Sequence, residues 1–182
     1  AQGFLVTPSA LPYEETGVDD IVWVRMGSTP AFEGRRKPSS EWRFHHDILA
    51  ARSEVDCVLH THGVHSTALA CRADVQASGI PAFHYMVAVA GGDSIRCAPY
   101  ATFGTQALSE HALAALDARK ACLLANHGLI ATGATLEAAL ALAVEVEALA
   151  RMYLSLLAPG PIVILSAGEM TGVLDRFASY RP

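Results

Sequence analysis

Apolar residues along this chain fall into short runs separated by polar, Gly- and Pro-rich breaks, followed by longer stretches of helical period. Phe4-Leu5-Val6 and Ile21-Val22-Trp23-Val24 predict strands, divided by the turn-rich segment from Thr7 to Pro12. Gly27 to Pro38 predicts a polar loop or hairpin with Phe32 on its return arm. Ser39 or Ser40 is placed to cap a helix running to about Arg52, with Glu41 in its first turn, where a carboxylate meets free amides. A strand over 55–60, a short helix over 64–71, a helix over 82–89 ending in Gly91-Gly92, and a short strand at Ile95-Arg96-Cys97 follow.

The segment 105–118 has a helical apolar face of Leu108, Ala112, Ala115 and Leu116. Cys122-Leu123-Leu124 and Leu129-Ile130-Ala131 predict strands flanking an Asn-His-Gly turn. The longest helix is expected over 135–157, with Leu136, Leu140, Val144, Tyr153 and Leu157 near one side, and Pro159 and Pro161 stop it. Ser166 is placed to cap a last helix to about Phe177. With no internal repeat and no second-domain boundary, the pattern predicts one α/β domain over 1–182. The expected architecture is three-layer α/β/α around a largely antiparallel central sheet.

Composition narrows the function classes. The chain has 182 residues, 52% hydrophobic and 17% charged, enough for one substantial core. A net charge of −5, with no basic cluster larger than Arg35-Arg36-Lys37, argues against nucleic acid as a partner. No apolar stretch approaches a membrane span, because Glu137, Glu145 and Glu147 interrupt the alanine-rich stretch 134–150. The four cysteines form no CxxC pair, sit among apolar neighbours and read as buried, reduced thiols of a cytoplasmic protein.

Chemistry enters with His60-Thr61-His62 at the end of a predicted strand. Side chains two apart on a strand share a face, so both imidazoles can reach one metal ion, whereas Cys57 points to the other face. His127 sits between Asn126 and Gly128 at a strand turn that can present a side chain. Three neutral imidazoles and one further position describe a catalytic zinc site better than a closed structural one. Spacing alone leaves a His-rich structural turn as the alternative. His45, His46, His65, His84 and His111 read as exposed or hydrogen-bonded histidines of helices and their edges. Other metal templates fail: HxHxDH would need Asp where Val64 stands, an amidohydrolase barrel needs a longer chain, and no HExxH occurs. Pro38-Ser39-Ser40-Glu41 offers hydroxyls and free amides to a phosphate. No GxGxxG or P-loop pattern occurs, so that phosphate would belong to a substrate rather than a nucleotide.

Several of these segments, in order, resemble the class II aldolase/adducin family. They are Pro38-Ser39-Ser40-Glu41-Trp42-Arg43-Phe44-His45, His60-Thr61-His62, His84-Tyr85-Met86, Ala98-Pro99-Tyr100-Ala101-Thr102-Phe103-Gly104-Thr105 and Asn126-His127-Gly128-Leu129-Ile130. The likeness runs from Leu5 to Tyr180 and is strongest to members that cleave fuculose phosphate. It implies a zinc-dependent aldolase that splits a deoxy-ketose 1-phosphate, fuculose 1-phosphate or a close relative, into dihydroxyacetone phosphate and a small aldehyde. His60, His62 and His127 would hold the zinc, and Glu41 would be the acid/base, able to fill the fourth metal position at rest. Ser39 and Ser40, helped by Ser9 and Ala10, would contact the phosphate. Tyr85 would reach a neighbouring subunit's site and protonate the aldehyde oxygen. Phe103, Phe177 and Tyr180 would wall the aldehyde's tail. A homotetramer with sites between subunits is implied.

The chemistry suits these residue types. Cleavage between C3 and C4 leaves an enediolate whose charge a divalent Lewis acid stabilises, with no need for a Schiff-base lysine. The only lysines are Lys37 and Lys120, neither in an apolar setting. Two departures from the family pattern stand out. The family's leading helix and first strand, with a Gly-Asn-x-Ser segment, would lie before this chain's first residue, and Ala10 stands where the aldolases have Gly. Asp74-Val75-Gln76-Ala77 reads as a surface-loop insertion. Rival readings are a sugar-phosphate 4-epimerase or a methylthioribulose-phosphate dehydratase of the same fold, and a non-catalytic, adducin-like interaction domain.

Overall fold

The structure, a computed structural model, describes residues 3–158 and 162–179. Strands β1 (Gly3–Val6), β2 (Val22–Arg25) and β3 (Phe32–Glu33) form an antiparallel sheet in that order. Alternation sends Val6, Val22 and Val24 inward with Phe4, while Leu5 faces out. Phe32 does return on a hairpin, opposite Val24.

A second sheet is built from β4 (Cys57–Thr61), β5 (Cys97–Ala98), β6 (Ala121–Leu124) and β7 (Gly128–Gly133), in the order β4-β7-β6-β5. Only the β5/β6 pair is parallel. This sheet is the middle layer. One face carries Ala121, Leu123, Leu129 and Ala131 against helices α2 (Val64–Ala70), α3 (Ala73–Ser78) and α5 (Leu136–Leu156). The other carries Cys122, Leu124 and Ile130 against α1 (Trp42–Ala51) and α4 (Gln106–Ala115). The α/β/α layering expected from the sequence is the one observed. A final helix, α6 (Ala167–Ser179), docks through Met170 on Ala82 and Ala88.

Several local expectations change. In α5 the buried side is Ala139, Ala143, Val146, Leu149, Ala150 and Tyr153, not the stripe of Leu136, Leu140 and Val144. Those three are 63%, 52% and 62% exposed and line a cleft of about 1470 Å³ that also borders β1 and β4. Small alanines let α5 approach the sheet closely, and an Ala/Leu-rich helix offers no single apolar face to read. The 74–77 segment is not a loop but part of α3. Asp74 Oδ1 accepts the Val75 N–H at 3.1 Å, Val75 is fully buried, and Gly79 at φ +75 ends the helix. The 82–89 helix is a 3₁₀ segment over Tyr85–Ala90. Cys71 is exposed rather than buried, and all four thiols are free.

Neither serine caps α1. Glu41 occupies that position, and the Ser39 Oγ accepts the Glu41 N–H at 3.2 Å. The Ser-Ser turn therefore closes on the backbone of Glu41 and leaves its carboxylate to point away from the helix.

Candidate metal centre

Three imidazoles converge because β4 runs antiparallel to β7: the C-terminal end of β4 lies beside the N-terminal end of β7. His60 is paired with Ile130 and Thr61 with Leu129, so His62 leaves the sheet next to the turn carrying His127. That turn needs Asn126 at φ +53, a left-handed conformation that Asn tolerates better than most residues. Gly128 is required by contact. A Cβ there would come 2.6 Å from the Thr61 carbonyl oxygen and 2.9 Å from His62 Cδ2.

Glu41 closes the group from the start of α1. One potential ligand atom from each of Glu41, His60, His62 and His127 lies within 4.8 Å of all the others. His60 Nε2 is 3.0 Å from His62 Nε2 and 3.0 Å from Glu41 Oε2, and His127 Nε2 is 3.1 Å from Glu41 Oε1. Neighbouring ligands of a tetrahedral zinc stand about 3.3 Å apart, so a small opening of the cluster admits the ion. Glu41 is buried, and its Oε1 has no well-formed hydrogen bond despite the nearby imidazole, which is misaligned. A buried carboxylate oxygen without a partner is costly unless a cation or proton completes it. The donor set and this orphaned oxygen fit a divalent metal. His62 is exposed and stands at the open side.

Electrostatics agree. Burial pushes the Glu41 carboxyl up, but the facing His127 and His60 outweigh it, and its pKa falls well below the usual carboxylate range. Burial, and then the neighbouring imidazoles, lower His62, which favours the neutral form that ligates metal. Burial takes His45, beside this cluster, down to about 4.

The sequence profile of the family described as "Class II Aldolase and Adducin N-terminal domain" matches residues 1–154. The chain belongs to the class II aldolase and adducin family. It is 56% identical over 178 residues to a 5-methylthioribulose-1-phosphate/5-deoxyribulose-1-phosphate aldolase of Rhodospirillum rubrum, covering 98% of this chain and 78% of that protein. It is 49% identical over 179 residues to the L-fuculose phosphate aldolase of Escherichia coli K12, covering 98% and 80%. A solved L-fuculose 1-phosphate aldolase superposes with a TM-score of 0.89 at 37% identity, covering 97% of this chain and 81% of that one. The chain is thus an aldehyde-lyase of the class II type, with a Glu/His₃ cluster able to hold the metal on which that class depends.

The other residues expected from the sequence lie as follows. Ser9 and Ser39 share a backbone ladder: the Ser9 N–H donates to the Lys37 carbonyl at 3.0 Å, and the Ser39 N–H to the Thr7 carbonyl at 2.9 Å. Ala10 follows at φ +55, and Ser40 is exposed beside them. The Phe103–Gly104 loop rests on Ser40, since a Cβ on Gly104 would come 2.8 Å from the Ser40 carbonyl oxygen, and Arg43 Nε donates to the Gly104 carbonyl at 3.0 Å. Phe103 itself is exposed. Tyr85 is half exposed, its ring 4.7 Å from that of His84. Phe177 packs from α6 onto the Ala82–Ala88 cluster, and Tyr180 lies outside the described residues. His46, His65, His84 and His111 each have a hydrogen-bond partner, as expected of ordinary histidines at helix edges.

Two contributions escaped the sequence. Leu129 offers its backbone carbonyl to His60, and Glu147 holds the start of α2. The carbonyl carries no side-chain signal. Glu147 reads in the sequence only as a polar break in an apolar helix.

Proposed function

We propose that this chain is a zinc-dependent aldolase that cleaves a deoxy-ketose 1-phosphate between C3 and C4 into dihydroxyacetone phosphate and a small aldehyde. The observation that carries the reading is the buried, hydrogen-bond-poor Glu41 carboxylate faced by three imidazoles and flanked by the Ser9/Ser39 ladder. Zinc at this cluster supplies Lewis-acid stabilisation of the negative charge that bond cleavage leaves on the three-carbon fragment. Ser9, Ala10, Ser39 and Ser40 hold the phosphate and so fix which carbon faces Glu41. Glu41, ionised at rest, takes the proton from C3 of dihydroxyacetone phosphate in the condensation direction and returns it there in cleavage. Tyr85 from a neighbouring subunit exchanges a proton with the C4 oxygen. Phe103, with Phe177 and Tyr180, contacts the aldehyde's tail.

Among candidate substrates, 5-deoxyribulose 1-phosphate and 5-methylthioribulose 1-phosphate stand ahead of fuculose 1-phosphate. The relative of 56% identity is named for the first pair, and an aromatic wall suits a methyl or methylthio tail better than a hydroxylated one. Self-association as a homotetramer, which brings Tyr85 to the site, and a cytoplasmic location belong to the same reading.

The test is a panel of ketose 1-phosphates incubated with zinc-loaded and chelator-treated protein and scored for dihydroxyacetone phosphate. Zinc-dependent triose release from a 5-deoxy substrate supports the proposal. A C4 epimer or a dehydrated product without triose would replace it with an epimerase or dehydratase, and no turnover despite bound zinc would favour an interaction domain. Mixing Glu41→Gln with Tyr85→Phe subunits should restore activity that neither has alone.

A further inference from the structure

His62 leads directly into α2, and both ends of that helix are pinned. At its start three donors converge on one carboxylate from α5. The His65 N–H and His65 Nδ1 reach Glu147 Oε1 at 2.7 and 2.8 Å, and the Ser66 N–H reaches Oε2 at 2.9 Å. A side chain at the helix's own N-cap would ordinarily serve such amides, but that residue is Gly63. Gly63 is also the residue the arrangement permits, because a Cβ there would come 2.4 Å from Glu147 Oε2 and 2.8 Å from Ser66 Oγ.

At the far end, the Ala70 carbonyl accepts the Asn126 N–H at 3.0 Å and Gln76 Nε2 at 2.8 Å. Gln76 Nε2 also reaches Asn126 Oδ1 at 2.8 Å. Asn126 immediately precedes His127. The helix therefore spans the gap between two of the three imidazole-bearing segments, with α5 gripping the end next to His62.

His62 has particular need of such a hold. The Leu129 carbonyl orients the His60 ring, whereas among the described residues no hydrogen bond to His62 Nδ1 occurs. The exposed His62 ring is therefore placed by its own backbone and by contacts with the other two imidazoles, His60 Nε2 at 3.0 Å among them. We propose that Glu147 is a positioning residue of the metal centre: by anchoring the start of α2 to α5, it sets His62 against His60 and His127. This inference rests on the metal-centre reading above. Partners that orient ligands from one layer out typically change metal affinity by about 10–100-fold when removed.

The test uses metal-free wild type, Glu147→Gln, Glu147→Ala and, as a control on another side of the same helix, Glu145→Ala. Cobalt(II) titration reads the dissociation constant and the visible spectrum of the site, and zinc competition repeats the affinity. We expect Glu147→Ala to bind roughly 10–100-fold more weakly with an altered cobalt spectrum. Glu147→Gln, which keeps one acceptor oxygen, should lie between it and wild type, and Glu145→Ala should match wild type. Wild-type affinity and spectrum in both Glu147 variants would overturn the inference, as would a lowered melting temperature with unchanged metal binding. If Glu147→Ala does not fold, Glu147→Gln alone decides. Failure of the wild type to take up cobalt or zinc would instead overturn the metal-centre reading, and this inference with it.

Discussion

The Nδ1 of His60 lies 3.0 Å from the carbonyl oxygen of Leu129. A carbonyl only accepts, so Nδ1 carries a proton, and Nε2, which faces Glu41 and His62, is the nitrogen that would ligate a metal. Leu129 is the ladder partner of Thr61. The pairing that builds the sheet thus also fixes the tautomer of a ligand.

His60→Asn separates these two jobs. Its amide can still donate to Leu129, but nothing replaces Nε2. The metal-free variant should melt close to wild type, while bound zinc per chain falls by about tenfold or more. Calorimetry of the metal-free protein and metal analysis after dialysis check both halves.

Glu41→Gln keeps the shape at the start of α1 and removes the proton acceptor. Turnover should fall by roughly 10²–10⁴-fold while the three imidazoles still hold metal. Steady-state rates on zinc-replete protein would show it, and a rate near wild type would remove Glu41 from its proposed role.

Ala10 adopts φ +55, a conformation that costs an L-residue with a Cβ about 1–2 kcal/mol and glycine almost nothing. Glycine loses about 0.5–1 kcal/mol of chain entropy in exchange. Ala10→Gly should therefore stabilise the fold by about 0.5–1 kcal/mol in urea titration. It should also lower KM for the phosphorylated substrate, because the methyl group borders the proposed phosphate site.

Asp47 ties α1 to α4. Its Oδ2 accepts from Ser109 Oγ at 2.6 Å and Gln106 Nε2 at 2.9 Å, and Oδ1 faces His46 Nδ1 at 2.8 Å. Burial pushes its pKa up, but those partners outweigh it, and the folded value lies below the ordinary 3.8. Its contribution is therefore complete above that value and lost as pH falls through the lower, folded one. Asp47→Asn should cost about 1.5–3 kcal/mol near neutrality. The difference from wild type should hold down to about pH 5 and shrink below about pH 4, as read from denaturant midpoints.

Much of the fold and site is legible in the chain. Strand alternation and the two buried faces of β6 and β7 follow from period, and the spacing of His60 and His62 announces a shared face. The motif order from Pro38 to Ile130 carries the family. What fails to read is helix orientation and long-range capping. Leu136, Leu140 and Val144 resemble a core stripe, yet Ala139 and Ala143 are buried in their place. Val75 and Gly79 make a short helix of a segment whose polar residues suggest a loop.

The sequence by itself determined which atoms are available: three imidazoles, one carboxylate beside a Ser-Ser turn, and an alanine where a left-handed residue is needed. Local chemistry decides these, since period, turn propensity and side-chain type act over a few residues. Only the tertiary structure decided that they meet. His127 comes beside His60 through antiparallel registry of β4 with β7, and Glu41 reaches them because Ser39 turns the chain before α1 begins. The start of α2 is held by a carboxylate 81 residues away. Such contacts arise from packing between distant segments, which no local pattern encodes.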